Sequence, residues 1–203
     1  MQDLKYRLRK ARSGIAVVAL LLAATPALSQ NTDTLSISDE ALAHGEGRIG
    51  VNAAAGDLNQ QVNSTAIAIG EPAIATNVVR QHIGDNVVSG SDAQSASITG
   101  TAFSDSHGAI AVNGAAGTEN QQANLAAISI GIDGPVVSLD MLSQTRSSQE
   151  PAGYQNEPSS ATYAEIGPDA FAQSSGLVQV NLTAGERNSS ANLFALSITE
   201  GAD

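Results

Sequence analysis

The phrase VNAAAGDLNQQVN, Val51 to Asn63, returns as VNGAAGTENQQAN at Val112 to Asn124 and as VNLTAGERNSSAN at Val180 to Asn192. The copies are small, polar and rich in Ala and Asn, and the sequence between them is unrelated. The register extends beyond the phrase in both directions. Upstream, Ile37, Ile98 and Ile166 align, then Leu42, Phe103 and Phe171, then Gly47, Gly108 and Gly176. Downstream, Ile67, Ile128 and Leu196 align, then Ile69, Ile130 and Ile198. The unit is about 35 residues, at 35–70, 96–131 and 164–199, with linkers at 71–95 and 132–163. Self-similarity at a fixed period points to stacked units, none of which buries its own face alone.

Within a unit the apolar residues alternate. Ile49, Val51 and Ala53 fall on one side of a strand, with Gly50 and Asn52 on the other. A period of two argues for β-strand. A helix competes, since NAAAGDLNQQVN holds good helix formers, but Gly interrupts all three copies and the apolar spacing is wrong for it. Gly56, Gly117 and Gly185 mark the turn, because Gly adopts positive φ without strain. A returning strand then carries Asn63, Thr65, Ile67 and Ile69 on one face and small residues on the other. A further strand is expected before each turn pair, near 35–43, 96–103 and 164–172. PAIATNVV and PVVSLDML, after the first two units, read as an added strand or as linker. The fold class is therefore all-β, a β-solenoid of stacked β-hairpin repeats, three imperfect units of about 35 residues.

Stacking explains why a polar residue recurs at fixed places. Units spaced by roughly 4.7–4.9 Å set identical residues above one another. Asn52, Asn113 and Asn181 then form one column, Asn59, Asn120 and Asn188 a second, and Asn63, Asn124 and Asn192 a third. An amide both donates and accepts, so each is satisfied by its own kind along the stack. Asparagines of the linkers, such as Asn77, Asn86 and Asn156, are expected to be solvated and unstacked. The third copy has Ser189 and Ser190 where the others have Gln pairs, so that end is expected to pair less strongly. The end rungs leave strand edges that template another chain.

The first residues are a separate segment. Lys5, Arg7, Arg9, Lys10 and Arg12 precede the apolar run Ile15 to Ala24, and Ala27 and Ser29 suit cleavage before Gln30. This is the layout of a secretory signal peptide at 1–29, ahead of a single repeat domain at 30–203. The run is about half of the roughly 20 residues that span a bilayer. Past residue 29 there are four arginines, no Lys and nineteen acids, a net charge near −15. Such a surface does not attract nucleic acid or anionic membranes. With no Cys, no Trp and three Phe, the chain has neither disulfides nor bulky side chains for a conventional core.

Motifs for chemistry are weak. Asp105 and His107 suggest a metal pair, but the other units do not repeat it. Asp in Gly-rich linkers raises calcium, without the nonapeptide pattern of calcium-binding solenoids. NST, NLT and NSS, at Asn63, Asn181 and Asn188, match the glycosylation sequon and fit composition as well. No nucleophile elbow, phosphate loop or zinc spacing is found, and the chain reads as a non-enzyme without metal or cofactor.

GRIGVNAAAGDLNQQVN, GAIAVNGAAGTENQQAN and GLVQVNLTAGERNSSAN resemble the repeats of secreted bacterial functional amyloid subunits of the Fap type. More distantly they resemble curli repeats. The resemblance covers three blocks and none of the linkers. It implies a cell-surface cross-β fibre component, a major or minor subunit or a nucleator, that supports biofilm matrix and adhesion. It also implies partners that are copies of the chain or homologous subunits, and an outer-membrane secretion machinery. The rival reading from the residues alone is a monomeric exported β-solenoid that binds surface polysaccharide or a partner protein. A solenoid enzyme is the weakest, since its carboxylates would have to cluster on one face.

Overall fold

The structure, a computed structural model, describes residues 32–84, 93–132, 135–147 and 161–200. The candidate signal peptide, Asn86 and Asn156 lie outside the described residues. Every regular element described is a strand. The first unit gives β1 (Thr32–Ile37), β2 (Glu46–Ala55), β3 (Gln60–Gly70) and β4 (Ala73–Ile83). The second repeats it as β5 (Ala93–Ile98), β6 (His107–Ala116), β7 (Gln121–Ile132) and β8 (Val136–Arg146). The third gives β9 (Ala161–Ile166), β10 (Ser175–Ala184) and β11 (Ser189–Glu200).

Pairing runs between units. The sheets are β1-β5-β9, β2-β6-β10, β3-β7-β11 and β4-β8, all parallel. Val51 pairs with Val112 and Val112 with Val180, so equal positions of the repeat stand on one another. The units are therefore arches rather than hairpins. β2 and β3 face each other through side chains, and each spends its main-chain groups on the equivalent strand of the next unit. This arrangement satisfies the backbone along the stack and leaves the inter-strand space within a unit to side chains.

The interfaces between layers differ in chemistry. Between the β1-β5-β9 and β2-β6-β10 sheets lies an apolar core of Leu35, Ile37, Ile49, Val51, Ala96, Ile98, Ile110 and Val112. Between β2-β6-β10 and β3-β7-β11 the contacts are amides. On the far half of β3, Ile67 and Ile69 are exposed.

The first strand of each unit starts at 32, 93 or 161, three residues before the expected 35, 96 and 164. The chain then turns a corner at 39–44 and its equivalents, where strand was expected to run on. At this corner Leu42, Phe103 and Phe171 hold φ of 58°, 61° and 62°. A left-handed conformation costs a non-glycine residue about 1–2 kcal/mol. Packing offsets it: Phe103 is fully buried, and its ring lies parallel to that of Phe171 with centroids 4.8 Å apart. Burying a ring of this size contributes roughly 1.5–3 kcal/mol.

The segments between units are not plain linkers. Residues 73–83 and 136–146 form the β4-β8 ladder, with Ala73 on Val136 through Ile83 on Arg146. This corrects the expectation for Asn77. It is 5% exposed and donates to the Ala126 carbonyl at 2.8 Å and to Asp140 Oδ1 at 2.7 Å. The alternation Ala73, Ala75, Asn77, Gln81, Ile83 inward was present in the sequence, and of the two readings of PAIATNVV and PVVSLDML, added strand or linker, the structure has the strand.

The bend between β2 and β3 is held by stacked glycines. Gly56, Gly117 and Gly185 have φ of 96°, 115° and 104°. A Cβ on Gly117 would lie 2.0 Å from the Gly185 carbonyl oxygen, whereas one on Gly185 meets nothing closer than 3.5 Å. Gly185→Ala is expected to cost about 1–2 kcal/mol for the conformation alone. Gly117→Ala should cost about 1–3 kcal/mol more, because a backbone atom cannot yield as a side chain does. Denaturant unfolding of the two variants checks the difference, and equal losses would refute the stacked turn.

Candidate functional site: the stacked amide ladders

The asparagines singled out from the repeat stand in three columns. Asn113 donates to Asn52 Oδ1 at 2.9 Å and Asn181 donates to Asn113 Oδ1 at 3.0 Å. Asn124 donates to Asn63 Oδ1 and Asn192 to Asn124 Oδ1, each at 2.9 Å. Asn120 donates to Asn59 Oδ1 at 3.0 Å and Asn188 to Asn120 Oδ1 at 2.9 Å. Every one of these bonds runs from a later unit to an earlier one, so the columns share a direction.

Two of the columns are laced into one network. Asn63 donates to Asn52 Oδ1 at 3.0 Å, Asn124 to Asn113 Oδ1 at 3.0 Å, and Asn192 to Asn181 Oδ1 at 3.1 Å. In return, Asn113 donates to Asn63 Oδ1 at 2.9 Å and Asn181 to Asn124 Oδ1 at 3.0 Å. The same amides reach main-chain carbonyls, as Asn63 to Val51 and Asn124 to Val112. Asn113 and Asn124 have no exposure at all. A buried amide is costly when unpaired and nearly neutral when every donor is used, so the network specifies register more than it adds stability.

The third column works at the turn. Asn59 donates to the Gly117 carbonyl at 2.8 Å and accepts from the Asn120 main-chain N–H at 3.0 Å. Asn120 does the same one unit on, with Gly185 and Asn188. The turn glycines Gly117 and Gly185 are thus each held through their carbonyls by the turn asparagine of the preceding unit.

Glutamines extend the ladders, which the sequence reading did not single out as site residues. Gln61 donates to Gln122 Oε1 at 2.7 Å and Gln121 to Gln60 Oε1 at 3.3 Å. In the third unit the two serines replace them. Ser190 Oγ donates to Asn181 Oδ1 at 2.6 Å, and Thr183 Oγ1 accepts from Gln122 at 3.0 Å. A compact charged group closes that side of the turn. Arg187 pairs with Glu119 at 3.7 Å, and Arg146 donates to the Arg187 carbonyl and to Ser189 Oγ. Burial, then the neighbouring Arg187 guanidinium, hold Arg146 below the ordinary arginine range.

The weak chemical motifs find other uses. His107 bonds Ser175 Oγ at 2.8 Å, and Asp105 lies 3.9 Å from His44 of the first unit. Among the described residues no group of three or more potential metal ligands is found. The sequon asparagines Asn63, Asn181 and Asn188 spend their amide nitrogens in the ladders.

A chain that stacks identical rungs by backbone and amide ladders is a cross-β repeat protein, built on the principle of a fibre within one molecule. The comparisons agree with that class. Residues 19–199 match the Functional amyloid protein FapB/FapC family, and the chain belongs to it. The chain is 39% identical over 94 residues to the functional amyloid subunit FapC of Pseudomonas aeruginosa, covering 42% of this chain and 27% of that protein. The chain thus spans about a quarter of that relative's length. No solved structure matches it.

The middle rung tests the network. Asn113→Asp keeps the size of the side chain and removes its donors, which serve Asn52, Asn63 and the Val62 carbonyl. An ionised carboxylate there is uncompensated and buried, a change worth about 3–5 kcal/mol. The loss should be full at neutral pH and shrink as acid protonates the new carboxyl, whose pKa burial raises. Urea unfolding at two pH values checks both sign and size.

Proposed function

We propose that the chain polymerises by adding copies head to tail, the third unit of one on the first unit of the next, into extracellular fibres. The observation that carries this reading is the one-way direction of the Asn ladders, which end unfinished at both outer rungs. Asn52 acts only as an acceptor among the described residues, from Asn63 and Asn113. At the far end Asn192 Oδ1 and Asn188 Oδ1 stand where the inner rungs accept. The next copy would place its Asn52, Asn59 and Asn63 on that face. Family membership supports the same reading, and with it a role in biofilm matrix and adhesion after export by the candidate signal peptide. Whether the chain is major subunit, minor subunit or nucleator follows from its behaviour as seed.

Assembly is tested by incubating the purified chain at moderate salt and recording fibre diffraction. The expected result is the pair of reflections near 4.8 Å and 10 Å. A chain that stays monomeric with and without seeds refutes the reading and favours a monomeric module that binds polysaccharide or a protein.

Asn52→Asp separates folding from assembly. The new carboxylate still accepts from Asn63 and Asn113, so the single chain should lose less than about 1 kcal/mol. It has no donor for the preceding copy and places a negative charge at the junction. Elongation from wild-type seeds should slow by about tenfold or more, the equivalent of about 1.4 kcal/mol. An unchanged elongation rate rules out this face as the growing one.

Charge sets the rate as well. With a net charge near −15 beyond residue 29, copies repel at neutral pH and low salt. Assembly should accelerate as pH falls toward about 4, where model carboxylates protonate. Added salt should act in the same sense at neutral pH. Half-times that ignore both remove charge as the brake.

A further inference from the structure

Two columns of the stack carry an acid in both outer units and a threonine in the middle one. At the turn after β2 the units stay in step. The Glu119 N–H donates to the Asp57 carbonyl at 3.0 Å, and the Arg187 N–H to the Thr118 carbonyl at 2.9 Å. Thr118 therefore stands on Asp57, and Glu186 on Thr118. At the corner before β2 the Phe103 N–H donates to the Ala41 carbonyl at 2.9 Å, and the Phe171 N–H to the Ala102 carbonyl at 2.8 Å. The same count sets Thr101 on Glu40 and Asp169 on Thr101. Glu40, Asp57 and Asp169 are exposed, and Glu186 is half-buried.

Within one molecule the two acids of each column are separated by a threonine, two strand spacings or roughly 9.6 Å apart. Head-to-tail stacking in the register of the Asn ladders removes that separation. It sets Asp169 of one copy on Glu40 of the next, and Glu186 of one on Asp57 of the next, each pair one spacing or roughly 4.8 Å apart. The acid-on-acid contact that the described strands avoid internally is then made twice at every junction. Like charges directly opposite one another on paired chains are destabilising. Salt screens them only in part at this separation, because the Debye length is about 8 Å at physiological ionic strength.

The charged groups around these contacts do not offset them. Arg187, next to Glu186, is engaged with Glu119 at 3.7 Å and with the Ser147 carbonyl at 3.0 Å. Arg146 donates to the Arg187 carbonyl and to Ser189 Oγ. Arg48 in the first unit donates to Thr65 Oγ1 and to the Asn63 carbonyl. Asp33 adds negative charge beside the first turn, where a Cβ on Gly56 would lie 2.7 Å from its Oδ2. The corner segments 38–45 and 167–174 hold neither Arg nor Lys, and Asp39 lies next to Glu40. His44 of the same corner lies 3.9 Å from Asp105.

We propose that these two carboxylate pairs, Glu40 with Asp169 and Asp57 with Glu186, are the brake on head-to-tail growth. The brake is local to four side chains and is not a property of the net charge. The third-unit face then accepts best a rung that continues the Asn ladders and carries a neutral or basic residue at the places of Glu40 and Asp57. The proposal rests on the fibre reading above.

Elongation is measured at neutral pH and low salt, each chain seeded with its own fibres. Asp57→Asn with Asp169→Asn takes one acid from each pair, and should elongate about tenfold faster than wild type and respond less to salt. Glu46→Gln with Glu165→Gln removes as much charge from the same two units, but these residues face Ser175 and Ser36 across the junction. That control should stay within about twofold of wild type. Charge reversal separates the local pair from the net charge. Glu40→Lys alone sets a cation against Asp169 and should speed growth. Glu40→Lys with Asp169→Lys brings the chain closer to neutrality but sets cation on cation, and should grow more slowly than the single variant. A double variant that outruns the single one, or a control that speeds growth as much as the junction pair, overturns the local brake and leaves the fibre reading standing. Chains that grow no fibres in any of these forms overturn both.

Discussion

Parallel, in-register pairing places each residue of the repeat on its own counterpart, and the remaining features follow from that constraint. A position is usable only if its side chain tolerates a copy about one strand spacing away, roughly 4.7–4.9 Å. Aliphatic residues, aromatic rings and amides do. Val51, Val112 and Val180 stack as core, Phe103 lies on Phe171, and the asparagines bond one another. Carboxylates do not. Among the described residues no acid stands on an acid of the adjacent unit, although the chain carries twenty of them. Glu46 meets His107, and Glu119 meets Arg187. Among the described residues the acidity is thus distributed without a column of stacked carboxylates.

The same constraint explains a core that is partly polar. Ala and Gly bring the layers close, and the narrow space between β2-β6-β10 and β3-β7-β11 takes a short amide better than a bulky side chain. An isolated buried Asn would cost about 1–3 kcal/mol. In a ladder its donors and acceptor are used by the amides above, below and across, so the cost falls on the end rungs alone. A molecule of only three rungs carries a large share of its ladder at those ends. That is the physical reason for an end face to recruit a further copy.

The strands that bridge the units add a different kind of order. Ladders join rungs at equal height, whereas β4 and β8 lock two rungs at once through Asn77, Gln81, Ser138 and Gln144. The junctions within the chain are thereby tied twice. Burial falls off in step, from the covered Leu125 to the half-exposed Leu193.

The sequence by itself determined the repeat, its strand character, the columns of Asn52, Asn59, Asn63 and their counterparts, and the glycine turns. A period of two and a recurring polar phrase are local signals, and stacking leaves each residue next to its own copy. Tertiary structure decided what local signals do not encode. It made the units arches instead of hairpins, because whether β2 bonds β3 or β6 depends on which backbone lies alongside. It set corners at Leu42, Phe103 and Phe171, where ring stacking overrides the dislike of bulky residues for positive φ. It also drew β4 and β8 out of apparent linkers and buried Asn77, because those strands are stabilised by carbonyls of two different units that only the assembled stack brings together.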